Sequence, residues 1–564
     1  MAWAAGSFAS CPDNSGPEPT PPGQDWESIE QLVDPITTPV LTGDELEAGQ
    51  VALTFDDGPD PVTTLAILEI LEAHGVRATF FQIGQHAEAY PEITEEIARR
   101  GHALGSHSWD HTDLAQLSLS DAVANLERGH AAVEEAAGVG AYLPFFRFPH
   151  LSSNDDLLEA AQRRGLVVFQ ANIINQDWMT QDVDELLDNA LDAVEATGSG
   201  IVLFHEYQPQ TVEMLDPFLD EIEARGYQTV VFQPRPSLAS RARAHGIRIG
   251  TTLWFLDEAT NAPYRETALR EFNLYTLPAF FRIVQPERGR FDFTIPDDVA
   301  DAALVPATFF VHSPVDCDLL PDWIEGADLS ADELEQILIE HVSTVVEHYE
   351  AVYPGRILGY NIINEPFSYR GDACPWNRIG LESSDDELAY VAIALTAARE
   401  AGPDALLFIN DFHIEGLGDR SDDMYELASE LVADAVPLGG VGLQSHFMVD
   451  SDAYFGPMPA FEEITQNMAR LNALGLVTII SEADFSIYNA DLSAVTLEHQ
   501  AQRFSDLMHV CLMAASCPAF LTWGVGDADS WIPETFEGWG SALLFDHQYQ
   551  PKPAYHALME ELAR

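Results

Sequence analysis

Short apolar runs alternate with longer amphipathic stretches along most of this chain. In the first half, the stretch TTLAILEILEAHG carries apolar residues at helical spacing and lies between two strand-like runs. Strands that alternate with helices are typical of an α/β layout with a parallel sheet. We therefore predict an α/β domain here. The strand-like runs between residues 48 and 233 are VALTF, ATFFQIG, IVLFH and TVVF.

The alternation begins again near residue 247 with eight apolar runs, separated by segments long enough for helices, such as SADELEQILIEHVSTVVEHYEAV. Eight parallel strands joined by helices form a closed (β/α)₈ TIM barrel, and its usual size of about 250 residues fits the remaining length. The eight runs are IGTTLWF, FNLYT, ATFFVH, LGYNIIN, LLFIND, GVGLQSH, VTIISEAD and FLTWGV.

These patterns divide the chain into four parts. We expect a tail and linker over residues 1–35, an α/β domain over 36–235, a short linker over 236–246 and the barrel over 247–564. The Pro-, Ser- and Arg-bearing segment QPRPSLASRARAHG marks the interdomain connection.

The charge of the chain is extreme, with 26 basic against 92 acidic residues and a formal net charge of −66. The acids are spread over the whole length beside many aromatic residues, so disorder explains them poorly. Such a surface repels itself in dilute buffer, whereas at molar salt the Debye length falls to about 3 Å. We predict a salt-adapted protein that binds no nucleic acid. The sequence also contains no apolar run long enough for a transmembrane segment.

The five cysteines do not have zinc-finger spacing. Cys511 and Cys517 are close enough in sequence to form a disulfide, Cys317 with Cys374 is a second candidate pair, and free buried thiols are the alternative. Cys11 differs, because FASC resembles the end of a lipoprotein signal and a Pro/Gly-rich tether follows it. We expect an extracellular or surface-anchored protein in a high-salt environment, with Cys11 as the candidate site of a lipid anchor.

Two adjacent carboxylates end the first strand-like run, in TFDDGP at residues 54–59. A solvated turn is the simplest interpretation, because Asp, Gly and Pro favour turns. Downstream, HSWDH places His107 and His111 four residues apart, where a helix or tight turn presents both imidazoles to one metal. One Asp and two His with an open position are typical of a catalytic zinc site.

Three further motifs follow in order, RFP at 147–149, QDW at 176–178 and LFH at 203–205. Together the five motifs resemble those of NodB-type polysaccharide deacetylases, carbohydrate esterase family 4, which implies a NodB-like (β/α) barrel. The chain differs from the family at His150 and Leu151, and it has no acidic counterpart among residues 172–176. The resemblance implies a divalent metal, with zinc expected, on Asp57, His107 and His111; Asp56 as general base; His205 as general acid; and Arg147 and Asp177 as their supports.

A second pair of carboxylates lies in the predicted barrel. Asn364 and Glu365 end the fourth predicted strand, and Glu482 ends the seventh. Catalytic groups of such barrels gather at the carboxyl ends of the strands. Two carboxylates meeting there indicate glycosidase chemistry, and a separation of about 5–5.5 Å would mean retention of configuration. The alternative is that each Glu is only a polar strand end.

These segments resemble glycoside hydrolase family 10, the retaining β-1,4-xylanases, most strongly from Asn361 onward. No cofactor is expected in this half, and Cys511–Cys517 resembles a disulfide of the family. The second predicted strand lacks the family's Glu-Asn and Lys, and the third keeps only Thr308 and His312, so recognition of the glycone sugars is altered. The resemblance implies Glu365 as acid/base; Glu482 as nucleophile; Asn364, Gln444, His446 and Asp484 as supports; and Trp523, Trp531 and His312 as substrate contacts.

The two halves together predict a bifunctional hydrolase whose polysaccharide substrate is acetylated xylan. A metal-dependent deacetylase would remove acetyl groups that hinder an endo-β-1,4-xylanase on the same chain. Two alternatives stay open. The first half could deacetylate N-acetylglucosamine polymers while the barrel acts on another β-glycan, or the barrel could serve only as a carbohydrate-binding module.

Overall fold

The computed structural model describes residues 26–138, 143–253, 262–305, 307–368, 373–381 and 386–564. Cys11 and its tether lie outside the described residues. Among the residues that are described, no helix is both long and apolar enough to cross a membrane.

The first half is built on parallel strands. The strands are β1 (Ile29–Val33), β2 (Val40–Leu41), β3 (Gln50–Asp56), β4 (Thr79–Gln82), β5 (Ala103–Ser106), β6 (Phe145–Phe146), β7 (Val167–Phe169), β8 (Ile173–Ile174), β9 (Gly200–His205) and β10 (Gln228–Pro234). The helices are α1 (Thr63–Ala73), α2 (Gly84–Ala89), α3 (Pro91–Arg99), α4 (Leu119–Ala137), α5 (Asp155–Gln162), α6 (Val183–Thr197) and α7 (Pro209–Ala224).

The carboxyl end of β3 lies at the centre of this sheet. β3 pairs with β9 on one side and with β4 on the other, and the order continues through β5, β6 and β7 to β2. All of these pairings are parallel, so the residues after each strand gather at one edge. β1, which pairs with β10, lies inside the segment expected to be tail and linker, and its Val33 is buried.

The second half begins with a helix where a linker was expected. Residues 238–244 form α8, and its Leu238 and Ala242 are buried in the core of the barrel. The strands that follow are β11 (Arg248–Thr252), β12 (Leu274–Pro278), β13 (Thr308–Val315), β14 (Ile357–Asn364), β15 (Leu407–Asp411), β16 (Gly440–Leu443), β17 (His446–Met448), β18 (Val477–Tyr488), β19 (Ala519–Thr522) and β20 (Trp539–Gly540).

Helices separate most of these strands, as the sequence pattern predicts. They are α8 (Leu238–Ala244), α9 (Ala262–Glu271), α10 (Phe281–Val284), α11 (Thr294–Ala302), α12 (Ala331–Val352), α13 (Asn377–Leu381), α14 (Ala389–Ala401), α15 (Asp419–Ala433), α16 (Phe461–Ala473), α17 (Ala494–Met513), α18 (Ile532–Thr535) and α19 (Pro553–Glu561). The longest, α12, begins at Ser330, whose hydroxyl accepts the Glu333 N–H while the Glu333 side chain returns to the Ser330 N–H.

Eight of these strands close into a parallel barrel. The order runs from β11 to β16 without interruption, β16 pairs with β18, and β19 joins β18 to β11. The predicted α/β class and the (β/α)₈ barrel are therefore confirmed. Inside the barrel, Leu274, Phe310, Phe408, Ile479 and Leu521 form a small apolar cluster that fills its base.

Four cysteines form two disulfides in the second half. Cys511 bonds Cys517, and Cys317 bonds Cys374, so both candidate pairs form and the free-thiol alternative does not apply to them. The Cys317–Cys374 bond joins the loop after β13 to the loop after β14.

Candidate active sites

The two adjacent aspartates at the end of β3 have different contacts. Asp56, the last residue of β3, is buried and accepts a hydrogen bond of 2.7 Å from Nη1 of Arg147. Arg147 is fully buried, and it also donates to the Thr54 hydroxyl and the Gln170 carbonyl oxygen. The guanidinium therefore fixes the Asp56 carboxylate in one orientation while balancing its charge.

Asp57 faces two imidazoles. Its Oδ1 lies 3.2 Å from Nε2 of His111 and 3.6 Å from Nε2 of His107. The ligand atoms of these three residues all lie within 4.8 Å of one another. His111 has a positive φ of 61° and lies in a tight turn after β5, so the HSWDH spacing works through a turn and not through a helix.

This group of atoms fits a metal cation. Nδ1 of His107 donates a 2.7 Å hydrogen bond to the Arg147 carbonyl oxygen, which leaves the Nε2 lone pair directed at Asp57. Burial lowers the pKa of both His107 and His111, which favours the neutral rings that coordinate metals. Oδ1 of Asp57 is buried and accepts no hydrogen bond from the described residues. Two lone-pair donors facing a bare carboxylate oxygen are the donor set that zinc prefers.

His205, at the end of β9, is held by Asp177. The Asp177 carboxylate accepts from His205 Nδ1 and from the His205 N–H, each at 2.7 Å, and from the Thr211 hydroxyl at 2.8 Å. Burial by itself would lower the pKa of His205, but the Asp177 carboxylate raises it above the usual value. The ring is therefore suited to carry a proton, and its Nε2 lies 4.0 Å from Oδ2 of Asp57.

The residues that depart from the deacetylase pattern have identifiable contacts. The His150 ring meets the His111 ring edge-on, with 4.5 Å between centroids, at the lip of the site. Asn172 accepts the Ile201 N–H, and Asn175 accepts the Asp177 N–H while donating to the Leu203 carbonyl. Side-chain amides thus support the backbone where the sequence offers no acidic residue.

In the barrel, Glu365 follows β14 and is approached by two donors. Gln444 Nε2 lies 3.1 Å from Oε1, and the Ser368 hydroxyl lies 3.0 Å from Oε2. Burial raises the pKa of Glu365, and the negative charges of Asp316 and Glu482 raise it further, against the two hydrogen bonds. A raised pKa suits a carboxylic acid that must deliver a proton.

Glu482 lies in β18, just beyond the residues that pair with β16. Its Oε1 accepts a 2.5 Å hydrogen bond from Asn410, and its Oε2 lies 3.3 Å from Nε2 of His446. Nδ1 of His446 lies 2.9 Å from Asp484. Burial by itself would lower the pKa of His446, but Asp484 and Glu482 raise it to about 10. His446 is therefore a buried cation that lies between the carboxylates of Glu482 and Asp484.

Side-chain amides connect the two glutamates. Oδ1 of Asn364 accepts from Asn410 at 3.0 Å and lies 3.4 Å from Nε2 of Gln444. Since Asn410 also binds Glu482 and Gln444 also binds Glu365, one network reaches both carboxylates.

Aromatic rings surround the Glu482 side of this site. Nδ1 of His312 lies 3.9 Å from Oε1 of Glu482, and the ring of His312 contacts Trp523 and Phe280 edge-on at 5.0 and 5.4 Å. Trp531 packs on His446 at 5.2 Å and donates its indole N–H to Asp484. Both tryptophans are half-buried, so part of each ring is open to solvent. The structure thus brings all the predicted barrel residues into one connected group of side chains.

Sequence reasoning missed Asn410, Ser368 and Asp316. Asn410 could have been found, because the run LLFIND ends in polar residues at the barrel face that carries catalytic groups. Ser368 and Asp316 lie in loops, and nothing in their sequence spacing distinguishes them from ordinary turn residues.

Comparison with protein families gives two matches. The model of glycosyl hydrolase family 10 matches residues 237–561, which is more than half of the chain. The chain belongs to glycosyl hydrolase family 10. A second model, polysaccharide deacetylase, matches residues 43–169, which include Asp56, Asp57, His107, His111 and Arg147. Both family resemblances seen in the sequence are confirmed.

Individual relatives agree with the family 10 assignment. The chain is 33% identical over 334 residues to endo-1,4-beta-xylanase B of Thermotoga neapolitana, a match covering 58% of this chain and 91% of that protein. It is 32% identical over 277 residues to an endo-1,4-beta-xylanase of Agaricus bisporus, covering 49% and 78%. Among solved structures, xylanase 10B of Thermotoga petrophila RKU-1 in complex with xylobiose has a TM-score of 0.52 and 31% identity, covering 59% of this chain and 98% of that one.

Proposed function

We propose that this family 10 protein is a bifunctional, salt-adapted hydrolase of acetylated xylan, a retaining endo-β-1,4-xylanase joined to a metal-dependent deacetylase. The observation that carries the proposal is the pair of carboxylates Glu365 and Glu482, joined by one amide network in the cleft of the barrel. The Asp/His/His group in the other half supports the second activity.

The glycosidase reaction follows from the environments of the two glutamates. Glu365, with its raised pKa, protonates the departing glycosidic oxygen while ionised Glu482 attacks the anomeric carbon. Glu365 then removes a proton from a water molecule whose oxygen bonds the anomeric carbon, and the bond from that carbon to Glu482 breaks, which leaves Glu482 ionised and frees the sugar. Cationic His446 holds Glu482 ready for attack.

In the deacetylase half, Asp56 serves as the general base and His205 as the general acid, and each is held by a hydrogen-bonded partner. Asp56, oriented by Arg147, takes a proton from the attacking water. His205, whose pKa is raised by the Asp177 carboxylate against the effect of burial, donates a proton to the departing sugar oxygen. A divalent cation on Asp57, His107 and His111, with zinc expected, would supply Lewis acidity toward water and the acetyl carbonyl.

Two single variants test whether each activity belongs to its own site. Asp57→Asn removes a metal ligand, so we expect loss of acetate release from acetylated xylan and of bound zinc, with cleavage of deacetylated xylan retained. Glu365→Gln should lower kcat/KM on deacetylated xylan by about 10²-fold or more, with acetate release retained. Both products are measured at molar salt.

Three results would contradict the proposal. Loss of both activities in each variant would exclude independent sites. Acetate release from N-acetylglucosamine oligomers but not from acetylated xylan would move the deacetylase to another polymer. Unchanged reducing-sugar release in Glu482→Ala would exclude this cleft as the site of cleavage.

A further inference from the structure

A third carboxylate, Asp316, lies one residue beyond β13 beside the pair of glutamates. It is only 8% exposed. Its Oδ2 accepts the side-chain N–H of Asn364 at 3.0 Å, and its Oδ1 accepts the backbone N–H of Asp318 at 2.7 Å. Asp316 therefore contacts the residue directly before Glu365.

A hydrogen bond and a disulfide connect the backbone at Asp316 and Cys317 to the segment that follows Glu365. The indole N–H of Trp376 donates to the Asp316 carbonyl oxygen at 3.1 Å, and the neighbouring Cys317 bonds Cys374. Trp376 and Cys374 both lie in the segment after β14, and both are fully buried. Asp316 thus has a fixed position relative to the end of β14.

The hydrogen bond to Asp316 fixes the orientation of the Asn364 amide. With its N–H toward Asp316, Asn364 turns Oδ1 toward the amide groups of Asn361, Asn410 and Gln444. The opposite orientation would direct an N–H at these donors and the amide oxygen at a carboxylate, which leaves buried polar groups unpaired. Without Asp316, the side-chain N–H of Asn364 would lose its buried acceptor, although the three amide donors would still face Oδ1.

We propose that Asp316 is a positioning residue of the glycosidase reaction, which orients Asn364 and places a further carboxylate near Glu365. The inference rests on the proposed roles of Glu365 and Glu482. During the reaction Glu482 loses its charge when it bonds the sugar, whereas Asp316 forms no such bond. Burial raises the pKa of Asp316 above its usual value, so the effect of its charge on Glu365 is sought on the alkaline side of the pH profile.

The charged groups near Glu365 make this contribution separable. Asp411 is paired at 2.6 Å with Arg420, but burial raises the pKa of Asp411 to about 7, and Arg420 reaches Glu365 through Ser368. The titratable neighbours of Asp316 are His312, whose pKa is lowered by burial, and the exposed Asp318. The groups facing Glu365 are therefore Glu482, Asp316, Asp411 and, through Ser368, Arg420.

The test is the pH dependence of kcat/KM on p-nitrophenyl β-xylobioside and on deacetylated xylan at molar salt. Activity is lost at alkaline pH when Glu365 loses its proton. Asp316→Asn keeps an acceptor for Asn364 but removes the charge, so the alkaline limb should move to lower pH by about one unit. Asp316→Glu keeps the charge and should restore the wild-type limb.

Further variants separate positioning from general damage. Asp318→Asn, in the same loop but exposed, should leave the profile unchanged. Asp316→Leu removes the acceptor as well, so kcat should fall about tenfold or more at every pH. Asp316→Ser is a second neutral variant and must shift the limb in the same direction. An unshifted limb in Asp316→Asn and Asp316→Ser overturns the inference while the proposed function stands; no cleavage by the wild-type protein overturns both.

Discussion

At the scale of single residues, the barrel site depends on a histidine that stays charged. His446 lies between Glu482 and Asp484, and these carboxylates raise its pKa to about 10 although the ring is buried. An unfolded histidine has a pKa of about 6.5. Between about pH 6.5 and pH 10, His446 therefore carries a proton in the folded state but not in the unfolded state.

This difference predicts how stability depends on pH. Because the folded pKa is raised, the contribution of His446 is fully present below pH 6.5 and is lost as pH rises through about 10. We expect the melting temperature of wild-type protein to fall more steeply between pH 7 and 10 than that of His446→Gln. Melting curves at constant molar salt measure this, and parallel declines would show that His446 is not a buried cation.

The candidate catalytic and metal-ligating residues could be predicted from the sequence, whereas most of the residues that hydrogen-bond to them could not. Glu365 and Glu482 follow apolar runs, and His107 and His111 have an informative spacing. Asp316 could not be predicted, because its contact with Asn364 joins residues 48 apart and depends on how the loop after β13 meets the end of β14. Asn410 was partly predictable, because it lies at the end of a strand, but no sequence motif marks it.

At the scale of elements, helix α4 supports the turn that carries His107 and His111. Gly129 of α4 lies against the backbone of that turn, and a Cβ at this position would come within 2.3 Å of the Ser108 carbonyl carbon and 2.5 Å of the Trp109 nitrogen. Both residues lie between His107 and His111. The close approach of helix and turn is therefore possible only with glycine.

Substitution Gly129→Ala should displace the turn, because the overlap is with backbone atoms that cannot rotate away. We expect zinc affinity, measured by chelator competition, to fall about tenfold or more and acetate release to fall with it, while xylan cleavage is unchanged. Gly418→Ala, where a Cβ has open space, is the matched control. Wild-type zinc affinity in Gly129→Ala would show that the helix does not position the ligands.

Most elements follow from the periodicity of the sequence, and the exceptions have physical causes. The run GVGLQSH divides into β16 and β17, because Ser445 has a positive φ of 63° that interrupts the strand. The Pro, Ser and Arg content of residues 236–246 predicts a linker, but this segment contains α8, and its Leu238 and Ala242 pack into the barrel. Two apolar residues in a short polar segment give too weak a pattern to predict a helix.

At the scale of the whole molecule, the two halves contact each other directly. Arg243 of α8 forms an ion pair of 2.8 Å with Glu134 of α4, and Arg270 of α9 forms one of 3.3 Å with Asp34. The Val305 N–H donates to the Arg163 carbonyl oxygen at 2.9 Å. Arg243 and Arg270 are two of the 26 basic residues of a chain whose net charge is −66.

The net charge predicts a strong dependence of stability on salt. Repulsion among the acidic side chains favours the expanded unfolded chain in dilute buffer, and salt screens that repulsion. Salt also weakens the few ion pairs between the halves, but 92 acidic residues greatly outnumber the 26 basic ones. We expect the melting temperature to rise steeply from about 0.1 M to molar salt; a flat or falling curve would contradict salt adaptation.

In the proposed function, one chain removes acetyl groups from a xylan and cuts the same polymer. The decisive measurement is mass spectrometry of the oligosaccharides released from acetylated xylan by wild-type protein and by Asp57→Asn. We expect deacetylated xylo-oligosaccharides from wild-type protein, and fewer, acetyl-bearing products from the variant. Identical products from both proteins, or no oligosaccharides from either, would contradict it.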